Sequence, residues 1–325
     1  MRTSTLLILV LSLILGLGLQ ASLYAQDGRK VENLGPNINT QYNEALPIIS
    51  ADGKTLFFVR ENSPQNVDYT EGIKNQNIWF STMQEDGSWS PAQNMTSLNS
   101  GGKSFVASVT PDGNILLLGR KLVRRTRTGW SAPEDVVING FHNRHKQNLV
   151  NFFLANDGQV MIIAAQMDDS KGFLDLYVSF LNEDGTWSKP LNIGGTVNSF
   201  DNDFSPFLAA DGKTLYYASS GFTRSDDPKK TMGGADIYVT RRLDDSWRKW
   251  SEPENLGPAI NTAGNDQYFV IPACGDWSYM VASEASLGGY DIYRLPIPAG
   301  MKPNPVMLLN GTVTDASTGA ELTAK

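Results

Sequence analysis

Three acidic residues share one local pattern, an Asn followed by an acid at the start of an apolar run. They occur in Asn43-Glu44, Asn202-Asp203 and Asn265-Asp266. If the three runs converge on one axis, the carboxylates would ring one mouth of a channel. Two carboxylates about 5–9 Å apart can hydrolyse a glycosidic bond.

The same acids have other interpretations. They could cap backbone N–H groups where a loop ends, or they could bind a ligand or a cation. A catalytic acid and base need unlike environments, so recurrence at equivalent sites favours a structural role. We therefore predict no catalytic residue and keep Glu44, Asp203 and Asp266 as a candidate channel-mouth ligand site.

The remaining residues with reactive side chains form weak patterns. His142 and His145 are the only histidines, and a His-x-x-His pair without a third ligand indicates a polar loop more than a metal site. Cys274 is the only cysteine, so no internal disulfide can form, and we expect it to be a small buried residue. No Gly-x-Ser-x-Gly nucleophile elbow occurs. We expect neither a metal nor a cofactor.

The chain contains an internal repeat, whose strands and turns could position such residues. An Asp-Gly pair between two apolar runs recurs every 45 to 64 residues, and such a pair suits a tight hairpin turn. The copies are Asp52-Gly53, Asp112-Gly113, Asp157-Gly158, Asp211-Gly212 and a degenerate Gly275-Asp276. A short aromatic and β-branched run follows most copies, and then a Trp-Ser segment that leads to a proline.

This order of signals predicts four short strands per repeat, with the proline on the outermost strand because proline cannot donate to a ladder. Repeats of this length are typical of propeller blades. The last repeat stops after its third strand, whereas residues 32–39 nearly duplicate residues 254–261. We therefore predict an all-β, five-bladed β-propeller over residues 26–298, closed by the N-terminal strand.

The N-terminus predicts secretion. A positive start at Arg2, an apolar run from Leu6 to Leu19 and a small-residue exit at Ala25 have the layout of a signal peptide, which we assign to residues 1–25. The net charge of −7 disfavours nucleic acid as a partner. No later stretch is long and apolar enough to predict a membrane span after cleavage.

Residues 202–219 resemble the WD-like repeats of the TolB type, and the resemblance extends over roughly residues 31–297. A proline-rich linker follows, and the segment from Val306 to Leu322 resembles the opening hairpin of a carboxypeptidase-regulatory-like β-sandwich. We assign residues 299–325 to the linker and the truncated start of that sandwich. Together these segments resemble the front of OmpA-family envelope proteins of the Bacteroidetes type.

That resemblance implies a location in the periplasm or at the outer membrane. It also implies a protein or glycan partner, and peptidoglycan as a further partner through a C-terminal domain that is absent here. We expect a non-enzymatic envelope scaffold, with a carbohydrate-active hydrolase using the channel-mouth carboxylates as the alternative. The resemblance is specific for the repeat and weak for any one activity.

Overall fold

The computed structural model describes residues 31–99, 103–222, 231–273, 275–282, 286–307 and 314–319. The predicted signal peptide, Cys274 and most of the predicted sandwich hairpin lie outside these ranges. Five small antiparallel sheets form a ring, which confirms the five-bladed propeller. No helix within these ranges is long and apolar enough to cross a membrane.

Each sheet is one blade, counted from the N-terminal side. The strands are β1 (Glu32–Asn33), β2 (Asn43–Ile49), β3 (Thr55–Glu61), β4 (Gln76–Thr82), β5 (Gln93–Asn94), β6 (Ser108–Val109), β7 (Ile115–Leu118), β8 (Lys121–Thr126), β9 (Gly129–Trp130), β10 (Glu134–Asp135), β11 (Asn151–Leu154), β12 (Val160–Ala165), β13 (Asp175–Phe180), β14 (Leu191–Asn192), β15 (Asp203–Leu208), β16 (Thr214–Ser219), β17 (Asp236–Arg241), β18 (Glu254–Asn255), β19 (Trp277–Ala282) and β20 (Asp291–Pro296). A single 3-10 turn follows at Ala299–Met301.

The ring closes as the repeat at the two ends of the chain predicts. β1 pairs with β20, and Glu32 stands opposite Arg294 with an ion pair of 2.6 Å between their side chains. The fifth sheet therefore joins the first and last strands of the propeller. Its innermost segment is reduced to a single bridge between Val270 and Tyr279, so this sheet has three regular strands where four were predicted.

A buried asparagine fastens the outer part of four blades. In each, the side-chain oxygen accepts a hydrogen bond from a backbone N–H of the third strand, and the side-chain nitrogen donates to the carbonyl of the same residue. These pairs are Asn39 with Ile292, Asn99 with Ile78, Asn198 with Leu176, and Asn261 with Ile237. They satisfy backbone groups that the two-residue outer strands leave unpaired.

The blades pack face to face, which explains their uninterrupted apolar strands. Every residue of β12 and of β16 is buried, because each strand has a neighbouring blade on both sides. Tyr177, Tyr216, Tyr217 and Tyr238 are among the largest fully buried side chains.

The antiparallel order of strands separates the loops onto two faces. The Asp-Gly turns lie on one face of the disc, which we call the turn face. The loops from the outer strand of one blade to the inner strand of the next lie on the opposite face, the mouth face, together with the loops from second to third strands.

Candidate functional site

The three acids singled out in the sequence are interior residues. Glu44 and Asp203 have no exposed surface and Asp266 is 2% exposed. Each carboxylate accepts a hydrogen bond from the backbone N–H four residues earlier, at 2.9 Å in Glu44, 2.6 Å in Asp203 and 2.7 Å in Asp266. Their shared role in the structure is to close the loop that enters the inner strand.

The environments of the three acids differ behind this shared bond. Glu44 forms a 2.7 Å ion pair with Arg60, whereas Asp203 accepts a 2.6 Å hydrogen bond from the Ser219 hydroxyl. Asp266 also accepts from the Thr262 hydroxyl. The three acids belong to blades 1, 4 and 5, and none of them lines a cavity described below.

Burial governs the ionisation of these carboxyls. Desolvation raises the pKa of Asp203 to about 7, against the lowering effect of the Ser219 and Ser199 hydrogen bonds. Desolvation also raises the pKa of Glu44, although Thr40 and Arg60 oppose it.

The raised pKa of Asp203 predicts a pH-dependent stability. The folded state binds this proton more tightly than the unfolded chain, so the contribution is complete below about pH 4 and is lost as the pH rises through about 7. Asp203→Asn should flatten this part of the profile, because an amide can accept from Ser199 and donate to Ser219 without titrating. Urea unfolding of both proteins from pH 4 to pH 8 measures it; parallel profiles would contradict the assignment.

The cavity at the mouth face has a volume of about 740 Å³. Its walls come from the loop before blade 3, the second-to-third-strand loop of blade 3 and the starts of the inner strands of blades 4 and 5. Polar side chains dominate it: His145, Lys146, Gln147, Gln166, Asn202, Ser220, Asn265 and Gln267. Phe173 and Phe204 add aromatic faces, and Phe173 is 56% exposed.

The axial channel below this cavity is nearly closed. Inner-strand residues of all five blades leave only about 50 Å³ between them, and most of these side chains are apolar. Leu46, Ser205 and Tyr268 stand at equivalent positions in three blades and share a positive φ of 49–60°, where the inner strand bulges towards the axis. A ligand in the mouth cavity therefore rests on a closed apolar floor.

Glu61 is an acidic side chain on the mouth face. It lies nine residues after the turn aspartate Asp52, as Gln166 lies nine after Asp157 and Ser220 nine after Asp211, each at or just past the end of a second strand. Gln166 and Ser220 line the mouth cavity, and Glu61 is their equivalent in blade 1. Sequence analysis missed Glu61 because no acid recurs at the equivalent positions of the other blades compared.

The surroundings of Glu61 leave it able to act on a ligand. Its carboxylate accepts a 3.1 Å hydrogen bond from Asn43, and it makes no other hydrogen bond with residues in the described ranges. Burial raises the pKa of the phenol of Tyr268, a half-buried residue of blade 5. The negative charge of Glu61 raises this pKa further, so the two side chains interact electrostatically.

A second large cavity, of about 840 Å³, opens on the turn face between blades 2 and 3. It contains Asp52, Asp112 and Asp157, but each of these carboxylates accepts hydrogen bonds within its own turn. These acids fix turns, so we place the candidate site at the mouth.

The histidines do not form a metal site here. Nε2 of His142 lies 3.8 Å from the Asp168 carboxylate, and the Nδ1 atom of His145 accepts a hydrogen bond from the Gln147 backbone N–H. No group of three or more His, Cys, Asp or Glu side chains in the described part of the chain could hold a metal ion. His145 instead lines the mouth cavity.

No protein-family model and no curated protein sequence matches the chain. Among solved structures, the catalytic domain of the Coprinopsis cinerea GH62 alpha-L-arabinofuranosidase is similar with a TM-score of 0.50 and 9% identity, over 82% of this chain and 96% of that one. A glycosyl hydrolase from Bacteroides ovatus matches with a TM-score of 0.42 and 8% identity, over 85% and 91%. A TolB-like protein from Agrobacterium tumefaciens matches with a TM-score of 0.41 and 15% identity, over 82% and 88%.

These comparisons correct the expectation of a non-enzymatic scaffold. The catalytic domain of a glycoside hydrolase has a similar fold, so the propeller gives no ground for a non-enzymatic function, and that expectation is set aside for the alternative of a carbohydrate-active hydrolase. Likenesses at such low identity establish the five-bladed fold alone.

Proposed function

We propose that this chain is a carbohydrate-active hydrolase whose substrate binds in the mouth cavity. The observation that carries the proposal is the make-up of that mouth, in which amide side chains and aromatic faces lie above a nearly closed floor. Glu61 lies on the same face, at the end of the second strand of blade 1. Amides recognise sugar hydroxyls in both hydrogen-bonding directions, and aromatic faces cover the apolar faces of sugar rings. Glycoside hydrolases of similar fold support the same choice.

Two carboxylates would perform the reaction. Glu61 protonates the glycosidic oxygen as the bond from the anomeric carbon breaks, and a water oxygen adds to that carbon. Asp201 is the second carboxylate; it is half-buried and precedes Asn202, which lines the cavity. Asp201 takes the proton of the attacking water, so each product ends in a hydroxyl group.

Both carboxylates are oriented by neighbouring amides. Asn43 donates to Glu61, and the side chain and backbone N–H of Asn202 donate to Asp201 at 2.8 and 2.9 Å. This differs from the caps at Glu44, Asp203 and Asp266, whose carboxylates are buried among protein donors.

A screen of oligosaccharides tests the proposal. Purified protein should release new reducing ends from at least one member of a panel of plant, bacterial and host oligosaccharides, and Glu61→Gln should release none. Neither cleavage nor binding across the panel, with binding measured by calorimetry, would contradict the function.

We also propose that the chain works in the cell envelope, in line with the signal-like N-terminus and the resemblance to OmpA-family proteins. A glycan substrate suits that location, because envelope and external polysaccharides are the glycans that a secreted protein meets.

A further inference from the structure

A separate cavity on the mouth face, beside blade 1, contains a buried arginine. Its volume is about 470 Å³, and its lining is short: Thr40, Gln41, Tyr42, Arg60, Ser63, Pro64 and Gln65. The residues from Thr40 to Tyr42 belong to the loop that enters blade 1, and those from Ser63 to Gln65 to its second-to-third-strand loop. Arg60 immediately precedes Glu61 in the chain.

The guanidinium of Arg60 is fixed on its inner side. Arg60 is 4% exposed, its Nε donates to Glu44 at 2.7 Å and its Nη2 donates to the Ile38 carbonyl at 2.9 Å. Its plane lies over the Trp79 ring, with Cζ 4.1 Å from the ring centroid. Nη1 makes no hydrogen bond with any residue that the structure describes, so it is the group that Arg60 leaves for the cavity.

The other lining side chains favour an acceptor as the ligand. The carboxylate of Glu44 is already occupied by Arg60 and by the N–H and hydroxyl of Thr40, so it offers the cavity little accepting capacity. Gln41 and Tyr42 can each donate from the rim, and the buried Ser63 can donate from the wall. A preorganised guanidinium with an unused N–H₂ group suits a carboxylate.

We propose that this cavity, which we call the Arg60 pocket, binds the carboxylate of an acidic sugar, so that the substrate is a uronate-containing glycan. The inference rests on the proposed function, because it assigns the substrate class of the proposed hydrolase. Glu61 at the mouth and Arg60 in the pocket then contact neighbouring parts of one glycan chain.

Free acids and methyl esters of the same oligosaccharides test the charge requirement. We would use glucuronate-, galacturonate- and mannuronate-containing oligosaccharides, each with its methyl ester, which differs in charge and hardly in shape. At least one free acid should bind at least tenfold more tightly than its ester in calorimetry, and added salt should weaken that preference.

A rim variant tests the location without disturbing the core. Gln65 is exposed, and its side chain makes no hydrogen bond with the described residues. Gln65→Glu should weaken free-acid binding about fivefold by like-charge repulsion and leave ester binding unchanged. Gln84→Glu, an exposed glutamine on the turn face of the same blade, is the matched control and should change neither.

The outcomes separate the two proposals. Binding or cleavage of glycans with no preference for any free acid, or an equal effect of the two variants, would overturn the Arg60 pocket and leave the hydrolase proposal standing. Absence of binding and cleavage for every glycan tested would overturn both. A circular-dichroism melt within 2 °C of the wild type would show that Gln65→Glu is folded.

Discussion

Glu61→Gln should lower glycan hydrolysis by at least about 100-fold, because an amide cannot deliver the proton that the leaving oxygen needs. The side-chain oxygen of the glutamine can still accept the Asn43 hydrogen bond, so the melting temperature should change by less than about 2 °C. Initial rates of reducing-end release, measured on the substrate that the screen identifies, give the effect. Binding of that substrate should persist, since the mouth amides remain.

The matched control is Glu134→Gln, an exposed glutamate on the outer edge of blade 2 that faces Arg124 at 3.9 Å. It removes one negative charge far from the mouth and should leave the rate unchanged. Comparable activity in the Glu61 variant and the control would exclude Glu61 as the proton donor. Asp201→Asn is the second informative variant: it should also abolish turnover, since the water would lose its base.

The ring architecture could be predicted because its signals are local and repeated. The Asp-Gly turns give the number of blades, and the duplicate of residues 254–261 at residues 32–39 gives the closure through β1 and β20. The reduced inner strand of the last blade could not be foreseen, because its apolar run is as long as the others.

The candidate site was harder to predict. Residues with a structural role recur from blade to blade, whereas a functional residue can occur in one blade alone. The acids Glu44, Asp203 and Asp266 recur because they close the same loop in three blades, and the sequence does not show that they are buried. Blade 3 has Leu149 at this position, four residues before Phe153 as Asp203 is four before Phe207.

Glu61 does not recur, since the equivalent residues of blades 3 and 4 are Gln166 and Ser220. Such departures at one position of a repeat could have been found in the sequence, by aligning the repeats on their turn aspartates. What no alignment of repeats would provide is the convergence of three blades on one cavity.

The Glu44–Arg60 ion pair is buried in blade 1, and its arginine lines the Arg60 pocket. A buried ion pair contributes little net stability when intact, because desolvation of both charges offsets their attraction. Removing one partner is different, since the other charge is left buried. Arg60 is held between Glu44, the Ile38 carbonyl and the Trp79 ring, so it cannot move into water without disrupting blade 1.

Glu44→Gln should therefore lower the free energy of unfolding by about 3–5 kcal/mol, which denaturant titration measures. The control is Asp135→Asn, which breaks the 3.1 Å ion pair between Asp135, 72% exposed, and Lys121, 53% exposed. It should lower the free energy of unfolding by less than about 1 kcal/mol. A similar cost in both variants would show that Arg60 reaches water after the substitution. In that case the guanidinium is not fixed by its inner contacts, and the Arg60 pocket would lose the preorganisation that favours a sugar carboxylate.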